Sequence, residues 1–207
     1  MEAERAKRSK LGRFIDVLAV IFVLIVLAGV WLGLASGPHG GGFKITGQNI
    51  PVLASHQIGN LLYAYAIDHN GQYPEGKTST EVFQHLIDEK YVGDPAIFYV
   101  GTLEIPGKVR PQSNQLKAEN VCWDVTCCVD SSAPDGVPVV FLTGFRITYQ
   151  AGASAVPISP SQASNFMAVY YKNNNAMAKR VNDDGVIPDF IPADFDPKGK
   201  TYRQLTP

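Results

Sequence analysis

Val17 to Ala35 reads VLAVIFVLIVLAGVWLGLA, nineteen consecutive residues without a charge or a strongly polar group. As a helix at ~1.5 Å per residue it is about 29 Å long, close to the ~30 Å hydrocarbon core of a bilayer. Ahead of it stand Arg5, Lys7, Arg8, Lys10 and Arg13, whereas residues 36–60 carry only Lys44. That excess of Lys and Arg predicts a cytoplasmic N-terminus and an outer C-terminal part. Two other readings compete. A cleaved signal peptide has a shorter apolar region of ~7–15 residues, although Ala35-Ser36-Gly37 resembles a small-residue cleavage site. A buried core helix seldom lacks a polar face over such a length.

Outward from this span the chain divides into a basic tail (1–13), a membrane helix (14–36), a Gly-rich hinge (37–47) and an outer domain (48–207). Gly and Pro in Ser36-Gly37-Pro38-His39-Gly40-Gly41-Gly42 disfavour helix, so the hinge predicts a tethered domain. The outer domain is long enough to bury a core of its own. The chain has a formal net charge of −1. The tail holds five basic and two acidic side chains, which leaves −4 on the remainder. A mildly acidic outer domain argues against nucleic acid as a partner. The basic tail suits topology and anionic lipid.

The hinge is followed by a predicted amphipathic helix over Val52–Asp68, with Ala54, Ile58, Leu61, Leu62 and Tyr65 on one stripe and Gln57, Asn60 and Asp68 on the wet side. Pro51 suits its first turn. Gly59 on this helix reads either as a point of close approach or as neutral. His69-Asn70-Gly71 stops it. A second helix is expected over Ser79–Lys90, with Thr78 and Glu81 at capping-box spacing and Val82, Phe83, Leu86 and Ile87 buried. Short β-rich runs come next, at Ile97–Val100, Val121–Cys127, Val137–Leu142, Phe145–Tyr149, Phe166–Tyr171 and Ala176–Val181. Asn173-Asn174-Asn175 joins the last two as a hairpin. Helices first and an antiparallel sheet after them predict an α+β domain. Ala151–Ser164 reads as an exposed loop, and Asp183–Pro207 as an irregular tail over the sheet.

The chemistry is sparse. His39, His56, His69 and His85 are scattered, with no HExxH, GxSxG or Walker loop, so no enzyme is expected. Cys122, Cys127 and Cys128 leave one thiol over. A disulfide between Cys122 and either neighbour is one expectation outside the cytoplasm, with an incidental or a redox role as the other readings; adjacent Cys127 and Cys128 bridge only with backbone strain. A zinc site lacks a fourth ligand nearby. Asp130, Ser132 and Asp135, with Gly136, offer hard oxygens for calcium, as do Asp183 and Asp184, but without EF-hand spacing; Asp-rich turns are also simply turns.

The run QIGNLLYAYAIDHNGQYP, Gln57 to Pro74, resembles a segment of type II secretion pseudopilin-like proteins, relatives of type IV pilins. Asp183-Asp184-Gly185-Val186 is similar to their frequent DG-V near the C-terminus; Trp123-Asp124 and the Asp130–Pro138 stretch fit a looser bacterial branch. The resemblance implies a single N-terminal membrane helix and a small α+β head with an antiparallel sheet. It implies a non-enzymatic, structural role in a secretion or pilus-like assembly of the bacterial inner membrane, with the head periplasmic. Other pseudopilin-like subunits or secretion-system membrane proteins would be the partners. It adds weight to calcium, which certain major pseudopilins hold in a C-terminal loop. It also makes Gly12 the processing position and Asp16 the acid that aligns subunits. Here the stretch is Gly12-Arg13-Phe14-Ile15-Asp16: Arg13 stands where prepilins have Phe, and Asp16 is a shorter acid one place early. The plainer reading of Asp16 is a headgroup-level carboxylate beside Arg13. The alternative function is a tethered outer binding module that does not polymerise.

Overall fold

A computed structural model describes residues 49–103, 105–159 and 165–207. The basic tail, the predicted membrane helix and the hinge, with Gly12 and Asp16, lie outside the described residues. No helix among the described residues is long and apolar enough to cross a membrane.

The first helix, α1, runs Asn49–Asp68. Its buried residues are Pro51, Ser55, Ile58, Gly59, Leu62 and Ala66. The seam is therefore rotated from the expected stripe. Ile58 and Leu62 lie at its centre, while Ala54, Leu61 and Tyr65 are only half-buried. Small residues set the seam. Ser55 turns its hydroxyl onto the Val52 carbonyl at 2.8 Å, and Gly59 carries no side chain, so the helix sits close to its neighbour. Asn70 and Gly71 end it with φ of 54° and 82°, and the Gly71 N–H donates to the Ala66 carbonyl at 2.7 Å. This left-handed closure satisfies a helix-end carbonyl.

The second helix, α2, runs Ser79–Asp88. Its Glu81 N–H donates to Thr78 Oγ1 at 3.2 Å, and Glu81 Oε2 accepts from the Lys77 N–H at 2.7 Å. The apolar face is Val82, Phe83, Leu86 and Ile87, as expected. Phe83 stacks on Phe98 with ring centroids 4.4 Å apart.

The strands are β1 (Trp123–Cys127), β2 (Pro138–Leu142), β3 (Phe145–Arg146), β4 (Val156–Pro157), β5 (Phe166–Tyr171), β6 (Ala176–Arg180) and β7 (Arg203–Leu205). Five form an antiparallel sheet in the order β6-β5-β2-β1-β7, and β3 pairs with β4. The domain is α+β, with two helices and an antiparallel sheet.

All six residues of β5 and all five of β2 are buried, so both faces of the central sheet are covered. On one face α1 sits over Tyr170 at Gly59. On the other, the C-terminal segment lies across Phe141 and Tyr171. Phe190 meets Phe141 edge-on at 6.0 Å, and Tyr171 Oη donates to the Phe190 carbonyl at 2.8 Å.

Four expectations are corrected. Ile97–Val100 is not a strand: Pro95–Phe98 is a 3-10 turn, capped by Asp94 Oδ1 accepting from the Ala96 N–H at 2.9 Å. The predicted strand Phe145–Tyr149 stops at Arg146. Ala151–Ser164 is not wholly an exposed loop. Val156–Pro157 supplies β4, and buried Ala155 exchanges backbone hydrogen bonds of 2.9 Å with Ile187. The tail is not all irregular, since Arg203–Leu205 pairs with β1 and closes one sheet edge.

Candidate functional site

Helix α1 presents its outer face as the most distinctive surface of the domain. No Lys, Arg, Asp or Glu occurs between Asn49 and Ile67. Leu53, Tyr63 and Ile67 are 48 %, 54 % and 64 % exposed. Leu53 and Ile67 stand fourteen residues apart, so the stripe extends over about 21 Å of helix axis. Neutral polar residues fill the space between: Gln57 and Asn60 are exposed, and His56 is half-buried with its ring edge-on to Tyr170 at 5.8 Å. A surface helix ordinarily carries charge on its wet side; one that is uncharged on both faces is suited to a second partner.

The C-terminal end of the stripe is braced. Tyr91 Oη donates to Asp68 Oδ2 at 2.6 Å. The His69 ring stacks on Tyr65 at 3.7 Å, and its Nε2 lies 3.1 Å from Glu89 Oε2. These contacts tie the end of α1 to the segment that follows α2.

The calcium candidates take different partners. Asp130 and Ser132 come together, but on an ammonium group. Lys200 Nζ ion-pairs with Asp130 Oδ2 and donates to Ser132 Oγ at 2.7 Å. Partial burial pushes the Asp130 carboxyl up, yet the hydrogen bonds from Lys200 and from the Ser132 hydroxyl and N–H outweigh it, so it titrates below its usual range. Asp135 lines a cavity of about 300 Å³ with Asp194, Asp196 and Lys198. Asp184 serves a turn, its N–H donating to Asn182 Oδ1 at 3.1 Å. Among the described residues no group of three or more His, Cys, Asp or Glu is placed to hold a metal ion.

The cysteine expectation is also corrected. Cys122 immediately precedes β1 and Cys127 ends it. Five residues of extended chain at ~3.3 Å each separate them by about 16 Å, far beyond the ~7 Å that a disulfide spans. Cys122 is fully buried, with the Val100 N–H 3.5 Å from its sulfur. Pairing with Cys127 or Cys128 is thereby excluded.

The polar centre that sequence reasoning missed is Asp124. It is fully buried on β1, and burial pushes its carboxyl up to about 7 against hydrogen bonds from Gln204 and Thr143 and the nearby Lys108 charge. Gln204 Nε2 donates to Asp124 Oδ2 and to the Phe145 carbonyl, both at 2.6 Å, and Gln204 Oε1 accepts from the Ile147 N–H at 3.0 Å. Gln204 on β7 thus latches the last strand onto β1 and the β3 region.

Comparison with known protein families, characterised proteins and solved structures found no match.

Proposed function

We infer that this protein is a membrane-anchored structural subunit of a pseudopilin-like envelope assembly, and that the outer face of α1 packs against α1 of a second copy of the chain. The observation that carries the reading is the uncharged stripe Leu53–Tyr63–Ile67 on a helix that follows an apolar span. Anchors confined to one bilayer raise the local concentration of heads, which favours weak contacts through an apolar stripe. The likeness of Gln57–Pro74 to pseudopilin-like proteins and the α+β head support the same reading. The bacterial inner membrane, with the head outside the cytoplasm, is the location it requires.

A second reading, a tethered module that binds an envelope partner and never polymerises, is favoured by Arg13 at the processing position and by the glycines at 40–42. Mass spectrometry of the chain's N-terminus separates the two. A chain beginning at Arg13 supports subunit processing, and one beginning at Met1 supports the tethered module. Carbonate-washed membranes test the anchor common to both: the chain is expected in the pellet, and recovery in the soluble fraction would overturn it.

A further inference from the structure

Cys127 and Cys128 are adjacent in sequence, and their sulfurs stand 2.8 Å apart. That is nearer a bond of ~2.05 Å than an ordinary contact between unbonded sulfurs. We propose that Cys127 and Cys128 form a vicinal dithiol site that closes to a disulfide by exchange with a low-molecular-weight disulfide. This goes beyond the assembly reading and does not depend on it.

Three features of the fold build the site. Cys127 is the last residue of β1 and pairs with Arg203 on the edge strand β7. Cys128 follows the strand with φ of 67° and is exposed. It lies beyond the last paired residue of β1, so the backbone strain that a bridge between adjacent residues requires falls on an exposed turn. Cys122, the remaining thiol, is walled off in the core.

The two sulfurs are not equivalent. Arg203 stands opposite Cys127 in the β1–β7 register, and the Cys127 sulfur beside it holds the guanidinium above its usual range. The Cys128 thiol is pushed up to about 11, first by its hydrogen bond with Cys127, then by burial and the Cys127 charge; Arg203 opposes this and Glu75 adds to it.

The steps balance as thiol–disulfide exchange. The Cys127 thiolate attacks one sulfur of the reagent; the reagent's S–S bond breaks and its other half leaves as a thiolate. Cys128 then gives up its proton to solvent and attacks the Cys127 sulfur of the mixed disulfide. The second half of the reagent leaves, and the Cys127–Cys128 bond forms. Two protein thiols are oxidised, and one reagent disulfide is reduced to two thiols.

The test exposes the full-length chain in detergent to oxidised glutathione, blocks remaining thiols with N-ethylmaleimide, and digests it before aspartates. The fragment Asp124–Val129 then carries Cys127 and Cys128 without Cys122. The expected result is a fragment lighter by two hydrogens that takes up no maleimide. In Cys128→Ser, which removes only an exposed thiol, the same fragment should retain glutathione on Cys127. Two maleimides on the unaltered fragment, a persistent glutathione adduct there, or a link to another chain would overturn the proposal.

Discussion

Gly59 lies against the ring of Tyr170 so closely that a Cβ at position 59 would fall 2.2 Å from Tyr170 Cδ1. This contact sets the distance between α1 and the sheet. Tyr170 is held in turn by its hydroxyl, which donates to Asn174 Oδ1 at 3.1 Å, so the ring is not free to yield.

Gly59→Ala is expected to destabilise the domain. Forcing a side chain into a packed contact costs roughly 1–3 kcal/mol, and the better helix propensity of Ala returns about 1 kcal/mol. A net loss of about 1 kcal/mol lowers Tm by ~2–4 °C. Gly59→Leu should be worse. In a Tyr170→Val background Gly59→Ala should become neutral or stabilising; an equal loss in both backgrounds would refute the contact.

Asp124 predicts a pH slope. Its unfolded pKa is ~3.9, and its folded value is about 7. Between these values the folded chain keeps a proton that the unfolded chain has released. Stability from this group therefore falls as pH rises from ~4 to ~7 and is flat above that, by a few kcal/mol at most. Asp124→Asn should flatten this slope in urea unfolding at a series of pH values. Parallel slopes for both proteins would contradict the assignment.

Gln204→Ala removes three hydrogen bonds at once and strands a buried carboxyl and a backbone carbonyl. Each buried group left unpaired costs ~1–3 kcal/mol, so a loss of about 2–4 kcal/mol is expected. Amide exchange should quicken first in Arg203–Leu205, because β7 is the edge strand that the side chain anchors.

The Asp130–Lys200 pair makes a prediction about calcium. An ion bound by Asp130 and Ser132 has to displace the Lys200 ammonium. Lys200→Ala should cost about 1 kcal/mol, because both side chains still reach solvent and screening keeps such a pair weak, and should increase any thermal shift caused by calcium. A calcium shift equally large in the unaltered chain would mean that the ion binds elsewhere. With a depressed pKa, the contribution of Asp130 is present above ~3.9 and lost as pH falls below it.

The parts of the fold legible in the sequence are those governed by neighbours along the chain. The His69-Asn70-Gly71 stop, the Thr78 cap, the buried face of α2 and the runs at β1, β2, β5 and β6 all carry local signals. What escaped depends on partners far away. Arg203–Leu205 is three residues long, too short to show a period, and becomes a strand only because β1 offers an edge. Phe145–Arg146 and Val156–Pro157 define each other in the same way. Pro95 turned an apolar run that resembles a strand into a 3-10 turn. The rotation of the α1 seam followed from Ser55 and Gly59, whose small size matters only once Tyr170 is in place. Asp130 and Ser132 are neighbours in the chain and legible as one turn, but Lys200, seventy residues on, carries no signal within that turn.

The central claim is that the outer face of α1 meets the same face of another copy, and crosslinking tests it most directly. Tyr63→Cys, in a full-length chain with Cys127 and Cys128 changed to Ser, is placed in native membranes and treated with a short bismaleimide. The account predicts covalent dimers that disappear when Ile67→Lys is added. A chain that stays monomeric at Tyr63→Cys, or dimers indifferent to the added lysine, would contradict it.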